Sequence, residues 1–170
     1  MLDVRPQDVS GVLAQLPVGL FVMTASMDGK RSGMLSKWMT QVASEPPMVA
    51  VAIFRGHWVE TLIRDSHSFA ICQIDPSDRL LLKKFGETGP RDNPRRDSDP
   101  FDCVPTETLV TGSPMLRRSA LGLDCTVIRH LDMEADYSLY IGQVVAGRVY
   151  DEALLNRLRA GGSAASTMLG

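Results

Sequence analysis

The sequence predicts a mainly β fold, an antiparallel barrel with short peripheral helices. About seven segments have strand length and are rich in β-branched and large apolar residues. They do not alternate regularly with helical segments, which argues against a doubly wound parallel sheet and favours an antiparallel barrel. The chain has 170 residues, without a linker or an internal repeat. We therefore expect a single domain over residues 1–170.

The individual elements follow from the spacing of apolar residues and from the residues that interrupt it. Apolar residues three and four apart predict helices, and continuous apolar runs predict buried strands. The pair Asp28-Gly29 predicts a tight hairpin turn, so the strands that flank it should be antiparallel. In chain order we predict a helix at residues 5–16, strands at 18–25, 31–44 (irregular around 33–38) and 48–54, a helix at 58–66, a strand at 69–74, a helix ending at 85, strands at 108–110, 121–130 and 139–150, and a short helix at 154–158.

Two segments are predicted to lie outside the packed core, which we place at about residues 16–150. Residues 87–101 contain several prolines and charges of both signs, which is typical of a long surface loop. Such a loop is usually only solvated, but residues 91–99 could also place Arg95 or Arg96 against a phosphate group. The tail at residues 161–170 should be flexible unless a partner subunit covers it.

Charge and hydropathy exclude several classes of partner. Lys and Arg total 18 against 20 Asp and Glu, which gives a net charge of -2 and no broad cationic field for nucleic acid. No apolar run approaches the length of about 20 residues that a membrane helix needs. The N-terminus does not resemble a signal peptide. We therefore expect a cytoplasmic protein that binds neither nucleic acid nor membrane.

The common catalytic and metal-binding motifs are absent from the sequence. It contains no glycine-rich phosphate loop, no nucleophile elbow and no zinc-protease motif. The three cysteines form no C-x-x-C pair, and the three histidines are too scattered to predict a metal site. Chemistry in this protein is therefore best attributed to a bound cofactor.

Two segments carry groups that suit such a cofactor. Residues 32–41 place hydroxyl, amide and ammonium groups along one strand, which suits a heteroaromatic ring edged with carbonyls and ring nitrogens. The alternative is an edge strand with a solvated face. Residues 55–58 follow a buried strand and precede a helix, and they combine a guanidinium with backbone N–H groups that suit a phosphate. Many proteins have a turn of this kind without a ligand.

Taken in order, several segments resemble the flavin reductase-like family of FMN-binding split β-barrel proteins. The resemblance covers about residues 16–149 and rests on LPVGLFVMTA, SGMLSKWMTQVASEPPMVAVAIFR, SFAICQI, KFG, GSPML, LDC and LYIGQVV. It implies an antiparallel Greek-key split β-barrel. It also implies a homodimer with FMN in a groove between the barrels and NADH or NADPH as the cosubstrate.

The resemblance also assigns residues to the site. The ring-contacting strand of the family corresponds to Leu35, Ser36, Lys37, Thr40 and Gln41, and its phosphate-binding turn to Arg55, His57 and Trp58. The chain departs from the family pattern at three of its positions, Lys37, His57 and Tyr137. Tyr137 replaces a histidine that lies near the flavin and the nicotinamide, and it is our candidate catalytic residue. Unlike histidine, tyrosine does not titrate near neutral pH.

The implied activity is that of an FMN-dependent oxidoreductase, a NAD(P)H-dependent flavin or ferric reductase. Its electrons would pass from the nicotinamide through FMN to free flavin, to ferric iron or to a partner oxygenase. Two alternatives stay open. One is a non-enzymatic FMN-binding electron carrier that another redox protein reduces, which the exchange of histidine for Tyr137 favours. The other is a flavin-free interaction module of the same fold.

Overall fold

The computed structural model describes residues 9–86 and 99–166. Within these residues the chain forms nine strands and four helices, which confirms the predicted mainly β class. In chain order they are α1 (Val9–Leu13), β1 (Phe21–Met27), β2 (Lys30–Ser36), β3 (Met39–Ser44), β4 (Pro47–Phe54), α2 (Trp58–Ser66), β5 (Ser68–Gln73), α3 (Arg79–Phe85), β6 (Thr106–Glu107), β7 (Met115–Leu116), β8 (Leu121–Asp132), β9 (Tyr137–Val149) and α4 (Glu152–Ser166).

Seven of the strands form one antiparallel sheet in the order β2-β1-β5-β8-β9-β4-β3, and β6 pairs with β7 separately. The sheet does not close, so β2 and β3 are its two edges. The end of β2 approaches β4, the neighbour of β3, where the Ser36 hydroxyl donates to the Ala52 carbonyl at 3.3 Å and the Ala52 N–H donates to the Trp38 carbonyl at 3.0 Å. This open, curled sheet confirms the predicted split barrel.

The barrel interior and the helices that cover it exclude water from most of the apolar side chains. One cluster lies between the sheet and α2, whose Val59, Leu62 and Ile63 are buried. A second cluster includes Leu81 and Phe85 of α3. Full burial of one large apolar side chain stabilises a fold by about 1.5–3 kcal/mol, so these clusters are the main source of stability.

The predicted hairpin between β1 and β2 is confirmed. Met27 pairs with Lys30, and the two residues between them, Asp28 and Gly29, have φ angles of 51° and 76°. Positive φ at both central positions is the geometry of the turn that matches strand twist, and Asp-Gly adopts it readily.

The single strand predicted at residues 31–44 was wrong. The chain forms β2 and β3 instead, and Lys37 and Trp38 lie between them. β2 pairs with β1 whereas β3 pairs with β4, so the chain passes from one edge of the open sheet to the other at this point. The predicted alternation of faces across residues 36–41 is broken there, because the chain leaves the strand geometry on which alternation depends.

The strand predicted at residues 108–110 was also wrong. This segment lies between β6 and β7, and the buried carboxylate of Asp124 accepts the N–H groups of Val110 and Thr111 at 2.8 and 2.9 Å. A side chain thus takes the place of a neighbouring strand. A short apolar run does not by itself show which kind of partner will accept its backbone hydrogen bonds.

The two ends of the chain also differ from the predictions. Of the helix predicted at residues 5–16, only Val9–Leu13 is helical within the described residues, and none of its side chains is buried. The helix predicted at residues 154–158 extends over Glu152–Ser166, so it includes the first part of the predicted flexible tail. Residues 167–170 and the predicted loop residues 87–98, with Arg95 and Arg96, lie outside the described residues.

Cys72 and Cys125 are buried and unpaired, and Cys103 is exposed. Burial raises the pKa of both buried thiols to about 12, which keeps them protonated and unreactive at neutral pH. Across residues 9–86 and 99–166, no group of His, Cys, Asp and Glu side chains is arranged to hold a metal ion. Within the same ranges, none of the helices combines the length and the apolar character needed to span a bilayer.

Candidate functional site

Strand pairing brings the two predicted cofactor segments to the same end of the sheet. β3 runs along β4, with Thr40 opposite Ala50. β4 ends at Phe54, and Arg55 begins the turn that leads into α2. Tyr137 starts β9 directly opposite Phe54. The β2–β3 junction, the turn at residues 55–57 and the start of β9 therefore form one surface, the candidate site.

Three aromatic side chains form a wall on this surface. The ring of Tyr137 lies edge to face against Trp38, with centroids 4.7 Å apart, and against Phe54, with centroids 5.3 Å apart. Trp38 is 53% exposed, although its neighbours hold its ring in place. Burial, together with the charge of Asp136, raises the pKa of Tyr137 above its ordinary value. The phenol is therefore neutral near pH 7.

The predicted ring-contacting residues divide into two groups. Lys37, Thr40 and Gln41 are exposed at the edge of the sheet. Ser36 is 6% exposed and its hydroxyl already donates to a carbonyl of β4, while Leu35 packs against the second core cluster. Three of the five predicted residues are thus exposed. Two of these make local hydrogen bonds to backbone carbonyls, Thr40 Oγ1 to Gln41 at 3.4 Å and Gln41 Nε2 to Ala43 at 3.1 Å.

The turn before α2 is held by its own side chains. Gly56 has a φ of 82°, and its N–H donates to Glu60 Oε2 at 2.9 Å. His57 caps α2, since its Nδ1 accepts the Val59 N–H at 3.1 Å. Burial lowers the pKa of His57, against the opposing influence of Glu60. The imidazole is therefore neutral, with Nδ1 as the acceptor and the proton on Nε2.

Trp58 begins α2 and contributes mainly to packing. Its half-buried ring lies against the first core cluster, and Lys30 Nζ lies 5.9 Å from the ring centroid, which is a cation–π contact. The backbone of Trp58 belongs to the helix N-terminus, whereas its side chain holds α2 against the barrel.

Arg55 contacts the β8–β9 connection. Its Nη1 lies 3.1 Å from Asp132 Oδ1 and donates to the Ala135 carbonyl at 3.2 Å. The Arg55 N–H donates to the Asp136 carbonyl at 2.9 Å. The guanidinium is 44% exposed and Asp132 is 50% exposed, so a ligand can reach the pair from solvent.

Sequence analysis missed Asp132 and Glu60. The spacing of His57 and Glu60 resembles a capping box, in which a glutamate reaches back to the start of its helix, so Glu60 was open to prediction. No local pattern connects Asp132 with Arg55. Asp132 ends β8 and Arg55 follows β4, and the two meet because both strands pair with β9.

The fold thus defines an open antiparallel barrel with an aromatic wall and exposed cations at one end. The chain belongs to the family described as Flavin reductase like domain, whose model matches residues 13–161. The family predicted from the sequence is confirmed.

Two relatives illustrate this relationship. The ferric-chelate reductase (NAD(P)H) of Archaeoglobus fulgidus is 22% identical over 143 residues, which cover 82% of this chain and 80% of that protein. The diflavin flavoprotein A 1 of a Synechocystis species is 27% identical over 143 residues, covering 84% of this chain but 24% of that protein. The chain therefore spans about a quarter of the length of the diflavin relatives that it matches.

Solved structures share the fold. The NADH:FAD oxidoreductase SgcE6 of Streptomyces globisporus has a TM-score of 0.74 at 20% identity, with 88% of this chain and 87% of that chain covered. The flavin reductase PheA2 has a TM-score of 0.69 at 20% identity, with 85% and 88% covered.

Proposed function

We propose that this domain is a flavin-dependent oxidoreductase that binds FMN at the candidate site and accepts electrons from NADH or NADPH. The observation that carries the proposal is the convergence of the β3 edge, the turn at residues 55–57 and the Tyr137–Trp38 contact at one end of a family-typical barrel. The Archaeoglobus ferric-chelate reductase and the NADH:FAD oxidoreductase SgcE6 support the same reaction class.

The chemistry of the donor set fits a flavin nucleotide. Lys37, Thr40 and Gln41 carry ammonium, hydroxyl and amide donors that suit a ring edged with oxygen and nitrogen acceptors. Gln41 Nε2 donates to the Ala43 carbonyl at 3.1 Å, so it would exchange that hydrogen bond for one to the ring. Arg55 offers a guanidinium to the phosphate, and the neutral His57 has a proton on Nε2 to donate. Bound flavin supplies the redox chemistry, because no side chain of this set is itself a redox group.

Tyr137 orients ligands in this proposal. Its phenol stays protonated near neutral pH, since burial raises its pKa, and so it cannot exchange a proton with a substrate as a histidine does. The ring instead fixes Trp38, and the two rings together exclude water from one side of the groove.

A homodimer completes the groove in this proposal. Trp38, just before the edge strand β3, and Val42, within it, are 53% and 49% exposed. Apolar side chains of this size at an open sheet edge favour burial against a second copy. Sedimentation of the purified protein should give a dimer mass, and a monomer that still binds flavin would contradict this part of the proposal.

The unpaired cysteines suit the reducing cytoplasm.

The decisive experiment is an absorption spectrum of the purified protein with and without added FMN, followed by anaerobic NADH or NADPH. Flavin uptake and bleaching of the visible band by either nucleotide are expected. Bound flavin that neither nucleotide reduces, but that a redox partner protein does reduce, would favour the electron carrier, which the raised pKa of Tyr137 supports as a second candidate. A protein that takes up no FMN would be a flavin-free interaction module.

A further inference from the structure

The basic residue of the proposed phosphate turn already has a carboxylate partner within the chain. Arg55 Nη1 lies 3.1 Å from Asp132 Oδ1, and the same nitrogen donates to the Ala135 carbonyl. Both side chains of the ion pair are about half exposed, so the pair is reachable by an incoming anion. A phosphate that approaches Arg55 therefore meets a cation whose charge is partly neutralised and a carboxylate that repels it.

The neighbouring donors of the turn are also in use. The Gly56 N–H donates to the Glu60 carboxylate, and the Val59 N–H donates to His57 Nδ1. A phosphate at this turn thus finds few uncommitted backbone donors, which makes its affinity depend strongly on Arg55. Asp132 is the group that competes directly for that residue.

We infer that Asp132 is a specificity-determining residue that lowers the affinity of the site for the flavin 5′-phosphate and keeps the flavin exchangeable. This inference rests on the proposed function, since it takes the candidate site to be the flavin site. If Asp132 lowers the affinity in this way, the flavin binds as a dissociable substrate of the domain. Removing the carboxylate charge should favour phosphate-bearing flavins and leave riboflavin unaffected, because riboflavin has no phosphate.

The position of Asp132 permits a clean substitution. The β8–β9 connection is held to Arg55 by a backbone hydrogen bond to Asp136, and Phe54 pairs with Tyr137, so neither contact needs the Asp132 side chain. Asp132 Oδ1 also accepts the Glu134 N–H at 2.9 Å, an interaction that the amide oxygen of asparagine can keep. Asp132→Asn thus removes the charge and preserves the shape.

The experiment measures dissociation constants of FMN and riboflavin for the full chain by quenching of flavin fluorescence, at low and high salt. Asp132→Asn should bind FMN roughly threefold to tenfold more tightly at low salt, a range set by the modest energies of half-exposed ion pairs. Its affinity for riboflavin should stay the same, and the gain should shrink at high salt. The matched control is Asp65→Asn, which removes an equal charge from an exposed pair with Arg64 at the other end of α2 and should change neither constant.

A second variant distinguishes competition between Asp132 and the phosphate for Arg55 from a general electrostatic repulsion of the phosphate by Asp132. In Arg55→Ala, the further change Asp132→Asn should give a smaller gain in FMN affinity, since the two residues act on each other. FMN affinity that is unchanged or weaker in Asp132→Asn, or riboflavin affinity that rises equally, would overturn the inference while leaving the proposed function in place. Failure of every variant to bind either flavin would overturn the proposed function and the inference with it.

Discussion

Tyr137 lies edge to face against Trp38, with ring centroids 4.7 Å apart and an interplanar angle of 69°. The contact joins the first residue of β9 to the junction between β2 and β3, where the chain crosses from one edge of the open sheet to the other. It connects the segment that carries the proposed ring contacts with Tyr137, the candidate catalytic residue. Four predictions follow from this site and from the polar groups that support it.

Tyr137 should make reduction by nicotinamide insensitive to pH near neutrality. Its pKa is raised by burial, so the phenol stays protonated from pH 6 to about 9. Tyr137→His should introduce a pH dependence between about pH 5 and 8, seen as the rate of anaerobic flavin bleaching. Tyr137→Phe, which keeps the ring contacts with Trp38 and Phe54, should retain the flat profile. A wild-type rate of flavin bleaching that changes severalfold from pH 6 to about 9 would contradict this role of Tyr137.

Arg55→Ala should weaken FMN binding about tenfold or more. The variant removes a charge-assisted donor, typically worth 1.5–3 kcal/mol, and it leaves Asp132 without its partner beside the phosphate. Titration of flavin fluorescence measures the loss, with riboflavin as the control ligand. Unchanged FMN affinity would remove Arg55 from the site, and an equal loss for riboflavin would point to a structural effect of the substitution.

His57 should make the fold less stable in mild acid. Burial lowers its pKa in the folded state, so the unfolded chain binds the proton more readily. Stability from the neutral imidazole is therefore present above about pH 6.5 and is lost as the pH falls through the lowered folded pKa. Urea unfolding at pH 5 and pH 7 should show this loss.

The matched variant for this prediction is His57→Asn, which can still accept the Val59 N–H but does not titrate in this range. Its pH dependence between pH 5 and 7 should be smaller than that of the wild type. Equal slopes for the two proteins would show that other groups carry the acid sensitivity. His57→Ala should in addition cost about 1 kcal/mol at pH 7, because α2 loses its cap.

Asp124→Ala should destabilise the fold by about 2–4 kcal/mol. The carboxylate is fully buried and accepts the part-buried N–H groups of Val110 and Thr111, which would both lose their partner. Urea unfolding monitored by circular dichroism measures the free energy. Asp65→Ala, at an exposed pair on α2, is the control and should change stability by less than about 0.5 kcal/mol. A loss at Asp124 as small as the control would mean that water satisfies these groups.

Local sequence patterns predicted the elements that depend on the conformational preference or the spacing of neighbouring residues. The hairpin at Asp28-Gly29 followed from the backbone preference of two residues, and α2 followed from its apolar spacing. The division of residues 31–44 into β2 and β3 did not follow in this way. Both halves have strand-forming sequences, and only the open edge of the sheet requires the chain to leave strand geometry at Lys37 and Trp38.

The candidate site shows the same division. Arg55 and His57 were predicted from the turn and from the resemblance, whereas the contacts that engage them came from the structure. Ser36 was predicted as a polar contact for the cofactor, and the structure shows its hydroxyl donating to Ala52. A sequence states which donors a segment has, but the packed fold decides which of them are already satisfied.

The sequence by itself determined the class of fold, the family, the buried strands and the residue types available to a flavin. Tertiary structure alone decided which distant groups meet, as Asp132 meets Arg55, the Asp124 carboxylate meets the Val110 N–H, and Tyr137 meets Trp38. The physical reason is that strand order and register are set by burial and hydrogen bonding summed over the whole sheet. A short stretch of sequence does not determine the total burial and hydrogen bonding of the whole sheet.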